Sequence, residues 1–338
     1  MSAELARQMT RTAHNAPPGR RYTVAMAAQS GSIQIALRPV KRVLILANKQ
    51  KPPVTEALRT FRPWLEKRVE VAAEVDTIHF GPADAASLPR ADLALVLGGD
   101  GTMLSQARLL VDRGIPMLGI NFGKLGFLAE FAIDDVKKHW QAIAGGTCRT
   151  TERIMLDVAA YPPGAPEWGG NGDEELPEPI FRGMAMNDVV LTAGPPYRMI
   201  EVELAIEPGL SRTSAATFSG DGVIVATPSG STAYNIAAGG PIVSPGINGL
   251  CVTAICPHSL AFRPIVFNAE CETWLAVRRA NPGTTLVLDG QTSADLEVGQ
   301  QIHIRKHPRS LKLVHNPELN YWTMLAHKMH WAARPRSR

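Results

Sequence analysis

Leu93-Ala94-Leu95-Val96-Leu97-Gly98-Gly99-Asp100-Gly101-Thr102 is the stretch that decides the fold. Five consecutive apolar residues make a short run with no polar face, the pattern of a strand buried on both sides. Three glycines within four positions follow at once, and Met103 to Asp112 then reads as a helix closed by Gly114. The same alternation extends on either side. Val43-Leu44-Ile45-Leu46 is an apolar run ending at Asn48; Val54, Ala57, Leu58, Phe61 and Leu65 recur at helical spacing, with Pro63 as a kink. Met117 to Ile120 reads as another strand, and Val136 to Ile143 as another helix before Gly145-Gly146.

Strands alternating with helices predict a parallel sheet covered on both faces, an α/β, Rossmann-like domain over residues 41–148. Ligands of such sheets sit beyond the carboxyl ends of the strands. Gly98–Thr102 and Asn121–Gly126 both fall there. The texture changes near residue 150. Residues 161–180, rich in Pro, Gly and acids, read as a surface loop. Strand-like runs follow at Val202–Ile206, Val223–Val225, Val252–Ile255, Trp274–Val277, Leu286–Leu288 and Ile302–Ile304. Few helices separate them, so residues 149–305 are expected to form a β-rich, sandwich-like domain, with 306–338 as a closing segment.

The chain has 338 residues, 45% of them hydrophobic and 20% charged, which suits a globular protein of two domains. No apolar run approaches the roughly 20 residues of a membrane helix. The net charge of +4 is carried largely by the tails, at Arg7, Arg11, Arg20 and Arg21 and at Arg334, Arg336 and Arg338. Solvated ends explain these better than nucleic-acid binding does, since no nucleic-acid module lies between them. The first 40 residues contain only Glu4 as an acid. A disordered extension, a transit peptide and an early start codon all fit that composition, and the extension is the expectation carried forward. Cys148, Cys251, Cys256 and Cys271 form no CxxC pair. Cys256 and His258 are at strand spacing, but buried thiols of a cytoplasmic protein are the better reading, and no protein metal site is expected. His258 reads as a satisfied histidine at a strand end.

The chemistry is concentrated in two segments. In Gly98-Gly99-Asp100-Gly101-Thr102, glycines let the backbone turn sharply and approach a ligand, and N–H groups at the mouth of the next helix suit phosphate oxygens. Such a turn also serves as plain punctuation between strand and helix. A carboxylate inside an anion-binding loop nevertheless needs a purpose: taking a proton from an attacking hydroxyl, or holding Mg²⁺ against phosphates. The second segment is Ser219-Gly220-Asp221-Gly222, then Val223-Ile224-Val225, then a turn with four hydroxyls within six positions, Thr227, Ser229, Ser231 and Thr232. Four hydroxyls running into a helix from Ala233 suit a phosphate or ribose, where one would be an ordinary cap. There is no G-x-x-x-x-G-K-[ST], and no G-x-G-x-x-G follows the first strand. P-loop proteins and ordinary Rossmann dehydrogenases are therefore excluded.

GGDGT with Met103-Leu104, GINFGKLGFL at 119–128, Asn187-Asp188, GDGVIVATPSGSTAY at 220–234, AAGGPIV at 237–243, and CPHSL at 256–260 with Arg263-Pro264 together resemble the NAD kinase family. The closing Tyr321, Leu325, Lys328 and Trp331 agree, and the resemblance runs from about residue 43 to 331. It implies transfer of a phosphoryl group from ATP or polyphosphate to the adenosine 2′-hydroxyl of NAD. It further implies Mg²⁺ carried with the donor, and a homo-oligomer, dimer or tetramer. Asp100 would be the general base, Gly98, Gly99, Gly101 and Thr102 the phosphate loop, and Gly101 would also lie against the dinucleotide. Asn187, Asp188, Arg198, Asp221, Thr232, Ala233, Tyr234, Asn235, Ile236, Ala237 and Gln291 would contact NAD. Asp188 stands where Glu is usual, and Asn235-Ile236-Ala237 replaces a more usual Ser-Leu-Ser. The closing segment would pack back on the first domain. A lipid kinase sharing GGDGT would need a surface apolar site that no segment offers, and a non-catalytic NAD(P) sensor would not need Asp100.

Overall fold

The computed structural model describes residues 35, 37–123, 125–170, 175–208, 213–259 and 261–331. The basic tails lie outside these residues, as does most of the expected extension. Within that extension, the Ile35 N–H donates to the Thr150 carbonyl at 3.1 Å and the Val40 N–H to the Ala144 carbonyl at 2.8 Å.

The first part alternates as the sequence predicts: β1 (Arg42–Ala47), α1 (Pro52–Glu66), β2 (Glu70–Asp76), α2 (Pro82–Ser87), β3 (Leu93–Leu97), α3 (Asp100–Leu110), β4 (Met117–Ile120), α4 (Ile133–Lys138) and α5 (Trp140–Ala144). Strand alternation decides what each helix covers. Val43, Ile45, Leu93 and Leu95 face α1 through Val54, Phe61 and Leu65. Leu44, Leu46, Ala94 and Val96 face α3 through Met103, Ala107 and Leu110. Neither β2 nor α2 is visible in the sequence pattern. β2 is an edge strand with no fully buried residue, so burial imposed no apolar run on it. The helix expected over 136–143 is broken at His139, and α1 runs through Pro63 to Glu66.

The sheet is not wholly parallel. Its order is β2-β1-β3-β4-β18-β5, in which β18 (Leu311–Val314) pairs parallel with β4 and antiparallel with β5 (Thr150–Arg153). The chain's last strand thus completes its first sheet. A buried polar cluster holds it there: Glu130 accepts from His315 Nδ1 at 2.8 Å and from the Asn316 N–H at 3.1 Å, and His315 Nε2 meets Thr151 Oγ1 at 2.7 Å.

Between them the chain forms two six-stranded antiparallel sheets. One is β10 (Ala216–Gly220), β9 (Ile200–Ile206), β14 (Thr273–Arg279), β17 (Gln301–Lys306), β6 (Leu156–Tyr161) and β7 (Phe181–Ala185). The other is β13 (Ile265–Asn268), β12 (Gly249–Ile255), β11 (Gly222–Ala226), β8 (Asp188–Thr192), β15 (Thr285–Leu288) and β16 (Thr292–Asp295). Val189, Leu191, Val223 and Val225 of the second interleave with Val202, Leu204, Leu275 and Ile302 of the first, which makes a sandwich with one core. The segment read as a surface loop is partly interior: Trp168 is buried against Trp274, and Gln301 bonds the Trp168 N–H and the Ala165 carbonyl. Two of the four cysteines are buried, but Cys256 is exposed at the strand end after β12, in a left-handed conformation.

Burial pushes the His315 imidazole below its ordinary value, against the pull of Glu130. The unfolded chain therefore binds the proton more readily than the folded one. The stability this contributes is present above the unfolded value of about 6.5 and is lost as pH falls below it. His315→Gln should shrink the loss of unfolding free energy between pH 7.5 and 5.5, measured by urea titration. An undiminished loss would show that His315 does not drive it.

Candidate active site

Asp100 is the first residue of α3, directly after β3, and its side chain is held by the next loop along the sheet. Its Oδ2 accepts from the Phe127 N–H at 2.8 Å, and its Oδ1 from the N–H groups of Leu128 at 3.1 Å and Ala129 at 3.0 Å. A carboxylate has about four acceptor positions. Three are filled, and one, on Oδ2, is left. The loop reaches Asp100 because it doubles back on β4: the Asn121 N–H donates to the Phe131 carbonyl and the Phe131 N–H to that of Gly119. A side chain at Gly126 would put its Cβ 1.8 Å from Asp100 Oδ1, so only glycine lets the carboxylate in.

The glycine turn is built for approach from outside. The N–H groups of Thr102 and Met103 donate to the Gly99 carbonyl, and those before them are first-turn donors with no partner inside the helix. A Cβ at Gly99 would meet nothing within 4 Å, whereas one at Gly98 would strike Thr102.

The opposite wall comes from the sandwich. The Thr227 hydroxyl donates to the Met186 carbonyl at 2.6 Å and its N–H to that of Asn187 at 2.8 Å. Gly230 packs so closely on Asn187 that a Cβ would lie 2.0 Å from its carbonyl oxygen. The hydroxyl-rich turn is thereby laid against the start of β8. Beneath it, the buried Asp289 carboxylate accepts from the N–H groups of Met186, Asn187 and Asp188. Arg108 of α3 donates to Asp289 at 2.7 Å and to Gln291 Oε1 at 2.6 Å, while Gln291 Nε2 donates to the Gly101 carbonyl at 2.8 Å. These bonds join the helix that follows the glycine turn to the β15–β16 hairpin. Asp188 is buried beside Asp289; burial first, and that neighbouring carboxylate second, push its carboxyl up to about 7.

Where the two walls meet lies a pocket of about 250 Å³. Of the residues expected to meet a ligand, Asp100, Asn187, Thr232 and Ala233 line it. Gly101 and Gln291 meet each other beside it, and Asp188 sits behind Asn187. Tyr234 is exposed, Ile236 half-buried and Ala237 exposed on α6 (Tyr234–Ala237). Asn235 is fully buried, its amide bonded to the carbonyls of Ser231 and Pro241 and to the Thr253 hydroxyl. Arg198 and Asp221 are exposed elsewhere. Asp221 precedes β11 at the end away from Thr227, six residues on, or about 20 Å at the usual strand rise.

Phe127, Leu128, Pro228, Ser229 and Pro245 complete much of the lining, with Arg153 and Tyr321. Phe127, Leu128 and Tyr321 stand in sequence motifs that give them no role of their own, and Arg108, Arg153 and Asp289 stand in none. The Asp289-Gly290 turn signal marks a hairpin tip, but nothing local marks the other two. Among the described residues, no group of three or more His, Cys, Asp or Glu side chains is placed to hold a metal ion.

A carboxylate steered by main-chain donors, beside a glycine turn open to phosphate and facing a nucleoside-sized pocket, is the apparatus of a phosphoryl-transferring enzyme. Comparison with known proteins gives the family. Residues 1–147 match the ATP-NAD kinase N-terminal domain and residues 186–316 the ATP-NAD kinase C-terminal domain. The NAD kinase of Geobacter sulfurreducens is 35% identical over 303 residues, covering 87% of this chain and 100% of its own length. That of Azoarcus sp. is 37% identical over 248 residues, 73% of this chain and 78% of its own. The fold is also that of a yeast NADH kinase solved with NADH (TM-score 0.73, 24% identity, 89% of this chain and 90% of the other). An Archaeoglobus fulgidus NAD kinase solved with ATP is similar too (TM-score 0.64, 22% identity, 86% and 98%). The chain belongs to the NAD kinase family, enzymes that phosphorylate NAD to NADP.

Gly126→Ala tests the carboxylate's seat. The added methyl displaces Asp100, so NADP formation should fall at least about 100-fold, with NAD binding by equilibrium titration retained. Turnover within twofold of the parent would show that the seat does not matter.

Proposed function

We propose that the adenosine of NAD occupies the pocket beside Asp100, with its 2′-hydroxyl at the acceptor position left on Oδ2. Asp100 takes the hydroxyl proton as the oxygen bonds to the donor's terminal phosphorus, and the bond from that phosphorus to the leaving phosphate oxygen breaks. The open N–H groups of Gly99, Asp100 and Gly101 face the transferred group's oxygens and offset the charge that develops there, while that of Gly98 is given to the Ile120 carbonyl. Mg²⁺ enters on the donor's phosphates, as it commonly does in phosphoryl transfer. ATP and polyphosphate both present a terminal phosphate to the turn. What carries the reading is the Asp100 carboxylate itself, oriented by three N–H groups with one acceptor position free.

Asn187, Thr232 and Ala233 flank the ribose in this reading, and Asp188 supports Asn187 from behind. Arg198 and Asp221, at the far end of β11, meet the dinucleotide only from a second copy of the chain, in a dimer or tetramer. Free thiols support a cytoplasmic enzyme.

Asp100→Asn keeps the shape and loses the base. It should fold and bind NAD, while NADP formation from ATP, Mg²⁺ and NAD drops by about 10²–10⁴. Turnover near that of the parent removes Asp100 from the role. Asp188 adds a second test. Its folded value of about 7 lies above the unfolded one, so its stabilising contribution is present below about pH 4 and is lost as pH rises through 7. Asp188→Asn should therefore be more stable than the parent at pH 8, by on the order of a few kcal/mol, and this advantage should vanish near pH 4. An equal difference at both pH values would contradict the raised carboxyl.

A further inference from the structure

Two polar side chains in the Asp100 pocket have no work inside the protein. Arg153, the last residue of β5, is 5% exposed, yet no carboxylate lies within ion-pair distance of it among the described residues. The nearest candidate, Glu130, is already engaged by His315 and Asn316. Burial pushes the guanidinium down to about 10, against the pull of Glu130. Tyr321, the first residue of α7 (Tyr321–Lys328), has a buried hydroxyl with no hydrogen-bond partner. Buried polar groups are nearly always paired, and the orphaned Tyr321 hydroxyl calls for an explanation.

Both residues line the same pocket, and its other walls say what would pair them. Phe127, Leu128, Pro228, Ala233 and Pro245 make it largely apolar and flat-sided. Gly98, Gly99, Gly101 and Thr102 are not among its described lining, so the donor's phosphates approach Asp100 from another side. Asp100, Asn187, Ser229 and Thr232 also line the pocket, and Arg153 and Tyr321 stand apart from them in having no hydrogen-bonding partner of their own among the described residues, which together with the apolar walls suits an aromatic base with ring-nitrogen acceptors.

We propose that Arg153 and Tyr321 are specificity-determining residues that hydrogen-bond the purine base of the acceptor and so hold NAD by its adenine end. This rests on the reading that the acceptor's adenosine fills the Asp100 pocket. Binding supplies what folding leaves unpaired: the guanidinium donates to a ring nitrogen, and the phenol donates to or accepts from the base edge. A ligand that fails to engage them leaves the buried Tyr321 hydroxyl unsatisfied and the Arg153 guanidinium without a counterpart, which is how such a site rejects an analogue.

Tyr321→Phe removes only the hydroxyl, and the free protein should melt at an unchanged temperature. KM for NAD should rise about 5- to 20-fold, with KM for ATP unchanged and kcat altered less than about twofold. Inhibition by adenosine 5′-monophosphate should weaken in parallel, and inhibition by nicotinamide mononucleotide should not. Arg153→Met, similar in length and uncharged, should show the same split in equilibrium NAD binding, read independently of turnover. A rise in KM for ATP alone would place the pair on the donor and overturn the proposal. So would unchanged constants for both substrates in Tyr321→Phe, or equal weakening by both mononucleotides. Failure of the adenosine reading itself is seen separately: adenosine 5′-monophosphate would then not compete with NAD in the unaltered enzyme.

Discussion

The site is organised by one carboxylate and three main-chain donors. Asp100 opens α3 after β3, and the N–H groups of Phe127, Leu128 and Ala129 lie in the loop after β4. The bonds between them lock two neighbouring loops at the carboxyl edge of the sheet into one surface. Hydrogen bonds to a charged group contribute about 1.5–3 kcal/mol each, so the three together exceed what burial of one apolar side chain contributes. Glycine at 126 is its condition, because any Cβ there would occupy the carboxylate's place.

A second carboxylate does the corresponding work across the crevice. Asp289 gathers the N–H groups that precede and begin β8, and Arg108 reaches over from α3 to neutralise it. Because Gln291 of the same hairpin touches both Arg108 and Gly101, the sandwich is registered directly against the helix that carries Asp100. That registry sets Asp100 and Asn187 on opposite walls of one pocket. The ordering of positions therefore runs from sheet to helix to hairpin to pocket. The cost appears at Asp188, whose carboxyl shares the buried space with Asp289 and is pushed toward neutrality.

Much of this frame was legible in residue pattern. Val43–Leu46, Leu93–Leu97 and Met117–Ile120 are buried on both faces, and such burial writes itself as uninterrupted apolar runs. Asp100 was legible too, because a lone carboxylate among three glycines has few structural uses. The edge strand β2 was not, since half-exposed residues face no such pressure, and Trp168 was hidden inside a stretch with the composition of a loop. Arg108 and Arg153 were illegible for another reason: arginines are mostly surface residues, and nothing beside them in the chain marks an inward turn.

Local chemistry thus determined which segments become strands, where the chain turns sharply on glycine, and which turn carries a carboxylate. These follow from periodicity and backbone freedom, properties that residues a few positions apart share. Tertiary structure alone decided that β18 joins the first sheet, that Phe127 to Ala129 hold Asp100, and that Arg108 meets Asp289 across 181 positions of chain. It also set Asp221 far from the pocket that holds Thr232. Contacts between distant segments arise only when cores pack and buried polar groups must find partners, and no local pattern records that pairing.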